Sequence, residues 1–154
     1  MLMKGQLVDF HGSVLLSILG IGLMLLLYMY VHNFFFIKKN SKELSERIYG
    51  IEEYLDEVGV SFEQVLQLNF IFSFMWFSYF IEYRYFKRMS YFVKRGKKSP
   101  NLYPNLYQDN VIYLCEKFKK HIITNEVLSL FIIFFGIAFF FYEPIADFLI
   151  YLGF

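Results

Sequence analysis

Ser13 to Ile37 reads SVLLSILGIGLMLLLYMYVHNFFFI, 25 residues without a charge, and it stops at Lys38-Lys39. A bilayer core of about 30 Å needs about 20 helical residues at about 1.5 Å each. This stretch therefore predicts a membrane-spanning helix. It is too long for the apolar core of a signal peptide, and no small-residue cleavage site follows it. Ile122 to Tyr142, IITNEVLSLFIIFFGIAFFFY, supplies a second run of 21 residues, with Glu126 its one charge. Lys117, Lys119 and Lys120 precede it and Glu143-Pro144 follows. Proline lacks the donor for the next backbone bond, so a kink or stop is expected there.

The composition agrees with a membrane chain. Hydrophobic residues make up 57% and charged residues 19% of the 154 positions, more apolar and less charged than soluble domains. A small soluble domain has too little interior to hide 21 Phe and 13 Tyr. A disordered chain is excluded by the same apolar content. A lone cysteine, Cys115, allows neither an internal disulfide nor a cysteine-based zinc cluster.

A third apolar run, Val65 to Ile81, is shorter and carries Gln67, Asn69, Ser73 and Ser78. Charge decides how it is read. Of the 15 Lys and Arg, all but Lys4 fall between the two end helices, and cytoplasmic loops carry the basic excess. If Val65–Ile81 crossed, either Lys38–Arg47 or Arg84–Lys98 would face outside. The expected fold is thus an all-α membrane protein with two transmembrane helices, 13–37 and 122–142, flanking a helical cytoplasmic segment, 38–121. The outer N-terminal segment is 1–12 and the outer apolar tail is 143–154, both termini lying outside. Three spans are the competing arrangement.

Within the middle segment, 38–59 is charged and helical in pattern, with Ser41 as its N-cap. Glu52, Glu53, Asp56 and Glu57 lack the glycine turn and oxygen spacing of a calcium loop, so they read as a solvated face. Residues 61–93 predict one long aromatic helix whose rings go nearly all the way round; such a helix must be buried. A segment of this size cannot bury it alone, which points to a homo-oligomer, with some rings at lipid headgroups. Residues 95–110, RGKKSPNLYPNLYQDN, form the loop. Val111–Lys120 restarts a helix expected to run straight into the second span.

Three residue groups stand out. Ser13, Ser17 and Gly20 offer small side chains that let helices approach in lipid; with Phe70, Phe74, Trp76, Phe77 and Phe80 they form the expected oligomer interface. Arg84, Lys87, Arg88, Lys94, Arg95, Lys97 and Lys98, interleaved with Tyr83, Tyr85, Tyr91 and Phe92, fit contact with anionic lipids; nucleic acid or a nucleotide is the weaker alternative. His32 lies six residues before Lys38, and Glu126 six after Lys120. Both therefore sit about 9 Å from the cytoplasmic rim. Asn33 and Asn125 match likewise. The expectation is an intramembrane polar belt of His32, Asn33, Asn125 and Glu126 with a His32–Glu126 contact. No phosphate loop, nucleophile elbow or His-x-x-x-His pair occurs. No enzyme activity, cofactor or metal is expected.

Leu114 to Leu130, LCEKFKKHIITNEVLSL, resembles the C-terminal part of the universal stress protein B family, where Cys-Glu and basic residues precede the last membrane helix. Arg84-Tyr85 resembles an Arg-Tyr pair of that family. The resemblance implies a bacterial inner-membrane protein linked to stress tolerance and supplies no catalytic residues. The acidic segment Glu43–Glu63 has no counterpart there. Two functions are expected in competition. One is an oligomer that alters membrane integrity or permeability in a stress or phage-defence response. The other is a membrane-anchored adaptor recruiting a cytoplasmic protein partner through its aromatic helix.

Overall fold

A computed structural model describes residues 2–51, 59–97 and 102–151. The acidic cluster Glu52–Glu57, Lys98 and the tip of the tail lie outside the described residues, as do the side chains of Phe77 and Phe80. Among the described residues the helical elements are α1 (Leu2–Lys39), α2 (Ser41–Tyr49), α3 (Phe62–Trp76), a π-helix (Phe77–Tyr85), α4 (Gln108–Lys117) and α5 (Lys119–Tyr151). No strand occurs among the described residues. Among the described residues three helical stretches are long and apolar enough to cross a membrane: His11–Lys39, Phe62–Tyr85 and Lys119–Phe148.

The chain divides into two compact units. The hairpin unit comprises Met1–Tyr28 and Leu128–Phe154, and the central unit Met29–Val127. In the hairpin unit α1 and α5 run antiparallel. His11 Nδ1 lies 2.9 Å from the Tyr142 hydroxyl, and a Cβ added at Gly22 would stand 3.8 Å from the Cβ of Phe135. Most of the large apolar side chains, Leu16, Met24, Phe134 and Phe140 among them, point outward. Such a surface suits lipid, where apolar side chains need no protein cover.

The central unit has a core of its own. Ile37 of α1, Leu44 and Ile48 of α2, Val65, Leu68 and Phe72 of α3, Val111 and Leu114 of α4, and Ile122 of α5 are buried together. α3 runs in the same direction as the end of α1, with Phe62 beside Tyr30 and Phe72 beside Phe36. α5 runs the other way, since His121 meets Phe36 and Asn125, one turn on, meets Asn33. The long aromatic helix is therefore buried on one face by its own chain. The middle segment achieves this because the ends of α1 and α5 join its core.

Several expected boundaries move. α1 runs on to Lys39, so Ser41 is not an N-cap; Asn40 holds that position, and its side chain donates to Phe36 O at 2.8 Å. α2 stops at Tyr49 because Gly50, at φ 83°, turns left-handed and returns its N–H to Ser45 O and Glu46 O. Ser61 and Gln64 form a reciprocal cap at the start of α3: Ser61 N–H donates to Gln64 Oε1 at 2.9 Å, and Gln64 N–H to Ser61 Oγ at 3.3 Å. The helix expected to reach Val93 ends at Phe86. There Lys87 takes φ 53°, and the Glu82 carboxylate accepts from both the backbone N–H and the hydroxyl of Ser90, at 2.7 and 2.6 Å. Phe118 breaks the helix between α4 and α5. Pro144 does not end α5, which continues to Tyr151, although proline supplies no N–H to the helix ladder.

Candidate functional site

The most distinctive polar arrangement joins α1, α3 and α5 inside the central unit. Asn33 Nδ2 donates to Asn69 Oδ1 and, at 2.9 Å, to Asn125 Oδ1. All three asparagines are buried. Asn125 in turn donates to its own helix, to His121 O at 3.0 Å, and lies 2.9 Å from His121 Nε2. With Nε2 accepting, the His121 proton sits on Nδ1. The ring is held between aromatic faces: Phe36 stacks at 3.5 Å, His32 at 4.5 Å, and Phe72 meets it edge-on at 5.6 Å.

Packing explains why these polar groups meet. Leu68, Phe72 and Met75 bury one face of α3, and Asn69 lies on the edge of that face, turned toward the seam between α1 and α5. Each buried amide would cost about 1–3 kcal/mol without partners, so the three are mutually required. The junction fixes the register of three helices as one unit.

The expected belt takes a different form. Asn33 and Asn125 are brought together. His32 has the His121 ring as its face-to-face neighbour. Glu126 is buried and its Oε1 accepts no hydrogen bond. Asn69 and His121, which complete the arrangement, were not in the expected set. Asn69 could have been found by asking which polar residue of 61–93 falls on the apolar face of that helix.

The remaining expected sites scatter. Ser13, Ser17 and Gly20 share one exposed face of α1, where Ser17 returns its hydroxyl to Ser13 O at 2.8 Å. Trp76 is buried in its own chain and Phe74 packs on Tyr91 and Phe92, while Phe70 is exposed. Arg84, Lys87, Arg88, Lys94, Arg95 and Lys97 are exposed. Arg95 pairs with Asp109 at 2.9 Å and lies over Tyr107; Lys87 lies over Tyr83.

A second polar network, absent from the sequence reading, ties α2 to the loop before α4. Asn105 donates to Glu46 O at 2.7 Å, and Asn110 donates to Arg47 O at 3.1 Å. These satisfy the last carbonyls of α2. Gln108 holds Met89 O and Phe92 O, both at 2.5 Å. Glu43 accepts from Tyr113 at 2.6 Å and pairs with Lys117. Partial burial pushes the Glu43 carboxyl up, but the hydrogen bonds from Lys117 and Tyr113 outweigh it and hold it below its ordinary value. The buried Cys115 thiol is pushed up to about 12, chiefly by burial. Among the described residues no group of His, Cys, Asp and Glu is placed to hold a metal. Comparison with protein-family models, with curated proteins and with solved structures finds no match to this chain.

Proposed function

We propose that this chain is a small bacterial inner-membrane protein that assembles with copies of itself and alters membrane permeability in a stress or phage-defence response. The stress link rests on the resemblance of Leu114–Leu130 to the universal stress protein B family. The observation that carries the assembly reading is the surface of the hairpin unit. Between α1 and α5 runs an apolar groove of about 260 Å³ with Gly22 and Gly136 among its lining residues. A Cβ at Gly20 or Gly136 would meet nothing within 4 Å, so a further helix can approach closely there. Two helices enclose no lumen, so any permeation path requires several copies.

Two spans fit better than three. The end of α1 and the start of α5 meet at Phe36, Phe118 and His121, which favours both ends leaving the bilayer on one side. α3 runs parallel to α1 rather than returning against it. This supports a cytoplasmic middle segment with its basic residues beside anionic lipid. An adaptor is the second reading, favoured by the exposed rings of Tyr85, Phe86 and Tyr91. Neither reading assigns a reaction.

Membrane depolarisation on expression separates the two. The permeability reading expects loss of potential, relieved by Gly136→Leu, which fills the groove. Intact potential with a captured soluble partner would favour the adaptor. Cysteine cross-linking from Gly20 of one copy to another should succeed under the first reading alone.

A further inference from the structure

We infer that the outward stripe of α3, Phe62–Leu66–Phe70, is sunk in the cytoplasmic leaflet, so that α3 enters the inner leaflet beside α1 without crossing the bilayer. The inference rests on the reading that α1 and α5 span the bilayer. The three side chains recur at four-residue steps and are 63%, 47% and 66% exposed. The opposite face of the helix, Val65, Leu68 and Phe72, is buried, so α3 is anchored by one face and presents rings on the other.

Depth identifies what covers the stripe. Phe62 lies 5.5 Å from Tyr30, ring to ring, and Tyr30 is eight residues before Lys38, about 12 Å along the helix. One residue before Phe70, Asn69 is bonded to Asn33, about 7.5 Å from Lys38 by the same count. The stripe thus occupies the level of the inner end of α1. At that level Val31 and Phe35 of α1 and Ile123 and Val127 of α5 are also exposed, so all three helices present apolar side chains there. Lys38, Lys39, Lys119 and Lys120 stand exposed at its inward edge, where lysines reach phosphates. Exposed Glu63 and Gln67 flank the stripe. A carboxylate and an amide on that face are expensive in the bilayer interior and disfavour a full crossing of α3.

Spin labels tell lipid from water and from protein. Single cysteines at Leu66 and Phe70, with Leu23 as a hairpin reference and Lys97 as a water reference, would be placed in a Cys115→Ala background. The full chain would be reconstituted in vesicles of phosphatidylethanolamine and phosphatidylglycerol. Collision with oxygen over a nickel chelate should shift at Leu66 and Phe70 toward oxygen, as at Leu23 and opposite to Lys97. A water-like ratio at Leu66 with a lipid-like ratio at Leu23 overturns the inference and leaves the spans standing. Label–label broadening at Leu66 also overturns it, since a second copy would then cover the stripe. A water-like ratio at Leu23 overturns the spanning reading and this inference together.

Discussion

Along α1, Leu16, Met24 and Leu27 point outward in the hairpin unit, whereas Asn33 and Ile37 are wholly buried in the central unit. α5 shows the same change in reverse: Ile122 and Asn125 are buried, while Phe134 and Phe140 face outward. One continuous helix therefore works in two settings. In the hairpin unit its apolar side chains point outward, a surface that suits lipid, and the two helices touch at Gly22–Phe135 and His11–Tyr142. In the central unit the helix is a wall of a protein core, where Asn33 and Asn125 are bonded to each other. An uncharged run measures how far a helix can be apolar; it does not say where lipid stops and protein begins.

Truncating a ring should separate the two settings most sharply. Phe72→Ala in the central unit should cost about 3–5 kcal/mol, read as a lowered unfolding midpoint in detergent. Phe134→Ala in the hairpin unit should stay within about 0.5 kcal/mol, as for an exposed position. Equal losses would break the comparison.

The asparagine junction comes next. Asn69→Ala leaves Asn33 without one partner and should cost about 1–3 kcal/mol. Leucine at positions 33, 69 and 125 together should recover part of this, because no buried amide is then left unpaired, although His121 Nε2 loses the donor it had in Asn125. If the triple variant is the worse one, the junction does more than hold three helices.

The smallest effect is electrostatic. Glu43 has its folded value held below the ordinary carboxylate value. Its stabilisation is full above the ordinary range and is lost as pH falls through the lowered folded value. Lys117 is raised by the hydrogen bonds it donates to Glu43 and Tyr113. Its share is present below the ordinary lysine range and fades as pH rises through the raised value. Glu43→Gln should flatten the acid limb of the stability profile. It should do so in the central unit alone, with Cys115 labelling by maleimide as the local probe, since the buried thiol reacts only on opening.

The sequence made the two long helices legible because length without charge is a strong signal. The level of Asn33 and Asn125 was legible from counting residues to the nearest lysine. The pairing of His32 with His121 was not, because a ring stack depends on helix rotation, which depth arithmetic ignores. The burial of Trp76 was likewise hidden. The segment 61–93 looked too apolar to cover itself, and nothing in its own residues shows that the ends of α1 and α5 complete its core. The NLYPNLY repeat carried a meaning that composition masks: Leu106 is buried and Asn105 caps α2, while Leu102 in the first copy is exposed.

On the proposed topology α1 and α5 cross the membrane as a pair, with the segment 38–121 on the cytoplasmic side. Single cysteines at Met3 and Lys97, in a Cys115→Ala background, can be labelled in intact cells with a membrane-impermeant maleimide. The expected result is labelling of position 3 from outside, and of position 97 only after the inner membrane is opened. Labelling of position 97 from outside in intact cells would contradict the account.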